Sequence, residues 1–270
     1  MAQHLKQFKI VCSDLDGTLL STKNDVSDFT VSIIQQIKDK VMIILVSARM
    51  PKSIQYLQQR MGIENHPTIC YNGALIQHEG KTLYSETISG ETLKGIAEIS
   101  KSMGIKLGLY SDDDWFVSET SERVQKEIFN TKTYPIFENT EVTLSRWTSK
   151  KKGAHKIMLM GQEEVLDRVF SELETKFANQ VHSYRSSDTI IEMSPKKASK
   201  LSAITSLLAP NETLDDILAF GDNYNDIEMI QKVGFGVAVG NARNEVKAVA
   251  DAVTYANTED GVAKFLHDRL

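Results

Sequence analysis

Asp14 and Asp16 stand two positions apart at the end of an apolar run, in IVCSDLDGTLL (residues 10–20). Carboxylates this close raise one another's pKa, and burial adds a desolvation penalty to each, so the pair needs a proton or a cation between them. A turn with a helix N-cap is the plain alternative, since Asp, Gly and Thr all suit one. The residues that end the other apolar runs bear on the choice. VMIILV (41–46) leads to Ser47 and Arg49 in SARMP, TICY (68–71) to Asn72 and Gly73 in YNGA, and ILAF (217–220) to GDNYND, with Asp222, Asn225 and Asp226. Taken singly, Ser47 serves as an N-cap, Asn72 with Gly73 as a hairpin turn, and Asp222 with Asp226 as negative charge at a helix start. Taken jointly, three acidic residues from two strands, with a hydroxyl between, suit a Mg²⁺ site for a phosphorylated substrate. A hard cation of this kind is held by a few carboxylates, waters and phosphate oxygens.

The elements that must deliver these groups are also written in the sequence. FKIVC (8–12), VMIILV, TICY, ILAF and FGVAV (235–239) are apolar on both faces, as buried parallel strands are. After the second run, Pro51 suits a first helical turn, Ile54, Leu57 and Met61 keep helical spacing, and Gly62 is placed to end the helix. Strand, helix, strand at this spacing predicts an α/β fold, a doubly wound parallel sheet whose ligand site lies outside the carboxyl ends of the strands. Residues 83–192 read differently. Two helical patterns, 91–103 and 163–177, adjoin short strands such as IKLGLY, AHKIMLM, VHSYRS and TIIEM. Several of these alternate polar and apolar residues, which predicts a sheet with one exposed face. The expected division is a discontinuous core, 1–82 and 195–270, around an inserted α/β domain, 83–194.

Composition narrows the function classes. At 270 residues the chain exceeds a single domain of ordinary size. Its formal charge of −5, from 31 basic and 36 acidic residues, leaves no basic excess for a nucleic-acid partner. The run at Lys150, Lys151 and Lys152 reads as a solvated turn. Cys12 and Cys70 both sit in apolar settings, as buried free thiols of a reducing compartment do. MAQHLKQFKI lacks the apolar stretch of a secretory signal, and no run approaches the ~20 apolar residues of a membrane span. A cytoplasmic chain, free of membrane and nucleic acid and monomeric or weakly dimeric, is the expectation. Trp115 and Trp147 are read as packing anchors.

With these residues in view the sequence resembles the haloacid dehalogenase superfamily, in particular its Cof-type sugar phosphatases with a large α/β cap. DLDGTL (14–19) matches the first motif, Ser47 the second, Lys200 the third and GDNYND (221–226) the fourth, while residues 236–263 are similar to the family's closing segment. Two details differ. Ser47-Ala48-Arg49 stands where Thr-Gly-Arg is usual, and Lys200 lies in KKASKLSAI without the glycines usual near it.

The resemblance implies a phosphatase in which Asp14 attacks phosphorus to form an aspartyl-phosphate and Asp16 is general acid, then general base. It implies Mg²⁺ held by Asp14, the Asp16 backbone carbonyl and Asp222, and phosphate bound by Ser47, Lys200 and Asn225. Asp226, Arg49, Asn72 and Gly73 are supporting residues, and Arg185 and Glu192 are candidates for specificity in the insertion. The implied partner is a small phosphorylated metabolite. Other readings stay open: a phosphomutase with the same intermediate, a receiver-like phosphorylatable module, which would not need an insertion of this size, and a silent phospho-ligand binder.

Overall fold

The structure, a computed structural model, describes residues 8–269; the reading of MAQHLKQ as free of a secretory signal therefore lies outside the described residues. The chain separates into two compact units, one formed by the segments up to Leu83 and from Ser199 onward, the other by Tyr84–Ala198.

The first unit begins with β1 (Ile10–Ser13), buried along its whole length, and a tight loop over Leu15–Leu19. Helix α1 (Asp28–Ile37) starts where the Ser27 side chain accepts a hydrogen bond from the Thr30 N–H. It buries Ile33, Ile34 and Ile37, each such side chain stabilising by about 1.5–3 kcal/mol. Strand β2 (Met42–Val46) leads to α2 (Lys52–Met61), which ends at Gly62 in the left-handed conformation (φ 68°). Then come β3 (Thr68–Cys70), β4 (Leu75–His78) and β5 (Lys81–Ser85). Strand β4 turns back antiparallel on β3. The parallel sheet expected from the sequence is thus extended by antiparallel edge strands. Their amphipathic or exposed sequences lack the apolar run of a strand buried on both faces.

The second unit contains α3 (Gly90–Ser102), β6 (Lys106–Ser111), β7 (Asp114–Val117), α4 (Glu122–Thr131), β8 (Ile136–Phe137), α5 (Thr140–Ser149), β9 (Lys156–Met160), α6 (Glu163–Phe177), β10 (Val181–Ser187) and β11 (Ile190–Pro195). Its six strands run in the order β10-β11-β9-β6-β7-β8. Ile157, Leu159, Ile191, Leu107 and Leu109 share a core with Leu93, Ile96, Leu166, Val169 and Trp147 from the helices. Two helices, α4 and α5, escape the sequence reading. The first buries only Val124, Glu127 and Thr131, and the second is rich in β-branched residues, so neither carries a broad apolar stripe. The expected exposed face is not realised in β9, where all five residues are buried. On the face away from Ile157 and Leu159, the Lys156 ammonium lies 4.4 Å from the Tyr110 ring centroid and Trp115 stacks on Tyr110 at 5.4 Å. Trp115 and Trp147 are both buried, in line with a packing role.

The chain returns to the first unit through α7 (Lys200–Leu207), β12 (Ile217–Gly221), α8 (Ile227–Lys232), β13 (Phe235–Ala238), α9 (Asn244–Val249), β14 (Ala252–Val253) and α10 (Gly261–His267). The eight strands run β14-β13-β12-β1-β2-β3-β4-β5, and the pairings from β14 through β3 are parallel. Cys12 and Cys70 are buried free thiols. Among the described residues no helix is long and apolar enough to cross a membrane.

One buried group in the second unit makes its stability sensitive to acid. His155 Nδ1 accepts the Asp112 N–H (3.0 Å) and Nε2 lies 2.9 Å from Ser85 Oγ, so the imidazole is neutral with its proton on Nε2. Burial pushes its pKa from 6.5 down to about 4, with Asp112 opposing and Lys152 reinforcing the shift. The unfolded chain therefore takes up this proton first. Stabilisation present above pH 6.5 is lost as pH falls towards 4, up to roughly 3 kcal/mol. Thermal unfolding from pH 7.5 to 4 should show this loss, and His155→Gln should flatten the profile. An equally steep profile in the variant would assign the acid sensitivity to other groups.

Candidate active site

The polar groups gather where the theory of open parallel sheets places a ligand, past the carboxyl ends of β1, β2, β3 and β12. Asp14 follows β1, and its N–H donates to the Phe220 carbonyl of β12 (3.0 Å), fixing the start of the loop. Gly17 takes φ +86°, and a Cβ there would lie 2.6 Å from Asp222 Oδ2, so the loop's approach to Asp222 requires glycine. Thr18 Oγ1 donates to Asp222 Oδ1 (3.0 Å), and Asn241 Nδ2 donates to the Gly17 carbonyl (2.8 Å).

Lys200 is the centre of the arrangement. Its side chain is buried, and Nζ donates to Asp14 Oδ1 and to Asp226 Oδ1, both at 2.6 Å. Burial disfavours the ammonium, but the two carboxylates outweigh it and raise its pKa above the ordinary lysine value. Asp226 is fully buried, and its other oxygen accepts the N–H groups of Asp222 and Asn223, each at 3.0 Å. Its carboxylate thus joins Lys200 to the fourth-motif loop.

A second set of hydrogen bonds runs alongside. Asn225 Nδ2 donates to Asn72 Oδ1 (3.0 Å), the Asn72 N–H donates to the Ser47 carbonyl (2.9 Å), and Ser47 Oγ accepts the Arg49 N–H (3.2 Å). Asn72 and Gly73 occupy a hairpin turn with φ of +56° and +103°. The turn has a further reason to be there: a Cβ on Gly73 would sit 2.2 Å from the Ser199 carbonyl oxygen. Ser199 is the N-cap of α7, so this close approach sets the start of the helix that carries Lys200. No glycine on the Lys200 side is needed, because Gly73 supplies the space from the opposite chain.

Asp16 lies apart from the other carboxylates. Arg49, buried, grips it with two hydrogen bonds, Nε to Oδ2 and Nη2 to Oδ1, each 2.7 Å, and donates also to the Lys23 carbonyl (3.0 Å). Burial lowers the guanidinium pKa, and the Asp16 carboxylate more than restores it. The Asp16 side chain is 53% exposed, so it is anchored on one side and open to solvent on the other.

Oxygens of Asp14, Asp222 and Asp226 lie within 4.8 Å of one another. Burial raises the Asp14 pKa well above the carboxylate range, with Lys200 opposing and Asp226 and Asp222 reinforcing the rise. Burial and the Asp226 charge carry Asp222 up to about 6. Three acidic groups against one ammonium leave two negative charges in excess, which fits a hard divalent cation. Since Asp226 is engaged through both oxygens, Asp14 and Asp222 are the side chains with capacity left for an ion.

The two candidates from the second unit are placed differently from each other. Arg185 pairs with Asp167 of α6 (3.1 Å) and donates to the Asp188 carbonyl (2.9 Å), contacts that hold its own hairpin to the helix layer. Glu192 pairs with buried Lys156 (3.2 Å) on the other face of the sheet. Sequence reasoning assigns no role to Thr18 or Asn241. Their significance lies in contacts 204 and 224 residues away along the chain.

This arrangement defines a class. Residues 11–266 match the haloacid dehalogenase-like hydrolase family, and the chain belongs to it. It is a phosphoric monoester hydrolase. The chain is 29% identical over 271 residues to the 5-amino-6-(5-phospho-D-ribitylamino)uracil phosphatase YitU of Bacillus subtilis, covering 96% of each chain. It is 24% identical over 269 residues to an HMP-PP phosphatase of Yersinia pseudotuberculosis, covering 97% of this chain and 96% of that one. The crystal structure of a haloacid dehalogenase-like hydrolase from Bacteroides thetaiotaomicron superposes with a TM-score of 0.88 at 26% identity, covering 97% of this chain and 100% of that one.

The Gly73 contact yields a direct test. Gly73→Ala should destabilise the protein by at least about 2 kcal/mol in urea unfolding, through positive φ and overlap with Ser199. It should also lower turnover by displacing Lys200. A variant of undiminished stability would mean that the loop yields freely. Lys200→Ala should destabilise by roughly 3–5 kcal/mol, because Asp14 and Asp226 stay buried without their ammonium, whereas Lys151→Ala, at an exposed turn, should change little. Equal effects would assign Lys200 no special role.

Proposed function

We propose that the chain is a Mg²⁺-dependent phosphatase of small phosphorylated metabolites, sugar phosphates foremost, acting through an aspartyl-phosphate on Asp14. The observation that carries this reading is the Lys200 ammonium shared between Asp14 and Asp226 beside Asp222. The names of the relatives from Bacillus and Yersinia support a small phosphorylated substrate. A reducing cytoplasm suits the two free thiols.

Asp14, Asp222 and the Asp16 backbone carbonyl would hold the ion, which when bound neutralises charge between the carboxylates and the phosphate. The free Asp14 oxygen attacks phosphorus as the ester oxygen departs, dividing one displacement into two. Lys200 keeps Asp14 ionised despite its burial and lends positive charge to the phosphate, and Asp226 orients Lys200. Ser47 and Asn225 donate neutral hydrogen bonds to phosphate oxygens. Asp16 protonates the leaving oxygen and then takes a proton from the water that hydrolyses the aspartyl-phosphate. A carboxylate gripped by Arg49 is an ionised one, so Asp16 must swing from Arg49 before it can act as an acid. Arg49 thereby positions Asp16 between turnovers. The second unit selects the leaving alcohol, with Glu192, and less directly Arg185, as its candidate residues.

Metal removal is the first test: chelator-treated protein should lose turnover of an aryl phosphate and regain it with Mg²⁺. Full activity without a divalent ion would sink the mechanism. Asp14→Asn should fold normally and lose activity by roughly a thousandfold or more. Free inorganic phosphate as the product separates hydrolase from mutase.

Asp16→Asn distinguishes the two steps. Nitrophenolate needs no protonation to depart, but hydrolysis of the intermediate needs a base, so this variant should release nitrophenolate in a burst approaching one equivalent per chain and then turn over slowly. With a sugar phosphate the burst should be small. Steady release from the aryl ester, with no phospho-enzyme trapped in acid, would count against this division of labour.

A further inference from the structure

Strands β2 and β3 have polar groups at both ends, and only the carboxyl ends belong to the aspartate site. At their amino ends lies a cavity of about 360 Å³, lined among others by Lys38, Asp39, Lys40, Asn65, His66 and His78. Its volume falls within the range of small-ligand sites, roughly 300–1,000 Å³. Strand β2 spans five residues, which puts this end roughly 17 Å from the end that carries Ser47.

The lysines by themselves need no ligand. They follow the C-terminus of α1, where cations are favoured, and Lys38 Nζ donates to the Gly62 carbonyl (2.9 Å). His66 is different. It is only 9% exposed, and its Nδ1 accepts the Ile43 N–H at 2.8 Å. That bond fixes the tautomer, so the neutral ring carries its proton on Nε2. Nε2 has no hydrogen-bond partner among the described residues, although the ring lines the cavity. Burial holds the imidazole below its ordinary range, with Asp39 opposing the shift and His78 and Lys38 reinforcing it. Near neutrality it therefore presents a fixed donor. His78 stands nearby, its Nε2 2.9 Å from the Asn65 carbonyl. Lys38 and Lys40 against Asp39 leave the cavity one positive charge in excess before either imidazole titrates.

We propose that this cavity binds a small oxyanion, a phosphate or carboxylate group, with His66 Nε2–H as a fixed donor and the Lys40 ammonium as its mobile charge. The site is separate from the aspartate cluster, at the other end of the same strands. Its ligand has the charge of the substrates and products of a phosphatase, but its existence does not depend on them.

The test follows the imidazole resonances of the full-length protein by NMR during titration with inorganic phosphate and, separately, with malonate. The His66 and His78 signals, assigned through His66→Gln and His78→Gln, should shift saturably. Saturation by both anions marks a general oxyanion site, and saturation by phosphate alone marks a phosphate site. Lys40→Glu, a change at an exposed residue, should weaken the saturation about tenfold, the equivalent of roughly one charge-assisted hydrogen bond. It should leave phosphate inhibition of turnover unchanged. Shifts that stay linear with both anions, or that Lys40→Glu leaves as they were, would overturn the proposal.

Discussion

A buried ammonium shared by two buried carboxylates organises the first unit of this protein. Lys200, Asp14 and Asp226 come from three separate parts of the chain, and none of the three could remain charged in the interior without the others. The surrounding structure obeys that constraint. Asp226 is secured through backbone N–H groups of its own loop, Asp14 through the β1–β12 pairing, and Lys200 through the N-terminus of α7 packed against the turn at Gly73. An arrangement with one more negative charge than its lysine neutralises, and a further carboxylate in Asp222, is unfavourable until a cation enters. The same imbalance that costs stability makes the site ready for metal and phosphate.

Asp16 obeys the opposite rule. It stays half in solvent and is held from one side by a buried arginine, so it can change partner without exposing an unpaired charge in the core. Two aspartates two residues apart thereby acquire different surroundings, which is what distinct roles for neighbouring carboxylates require. The left-handed Gly17 between Asp16 and Thr18 lets the loop turn Thr18 towards Asp222 while Asp16 faces Arg49.

The second unit shows how a sheet can hide polar residues without a ligand in view. Lys156 is buried among Tyr110, Trp115 and Glu192, with cation–π contact and an ion pair compensating its desolvation. Arg185, attractive in sequence as an isolated basic residue on a strand, is committed to Asp167 and the Asp188 carbonyl. His155 is held neutral by a backbone donor, a second case in which burial decides the state of a titratable group.

Features that depend on neighbouring residues were legible in the sequence. Apolar runs marked β1, β2, β3, β12 and β13, Gly62 marked the end of α2, and the polar residues after each run marked the functional edge, because strand burial and turn chemistry are local properties. Helices α4 and α5 were not legible, since neither has an apolar stripe wide enough to stand out from a loop. What only the tertiary structure decided were the partners. Lys200 reaches Asp14 across 186 residues of chain, Arg49 takes Asp16 rather than a substrate oxygen, and Gly73 serves Ser199 as much as its own turn. Such contacts depend on how finished elements pack, and no short-range pattern in a sequence encodes which charged group will meet which other once water has been excluded.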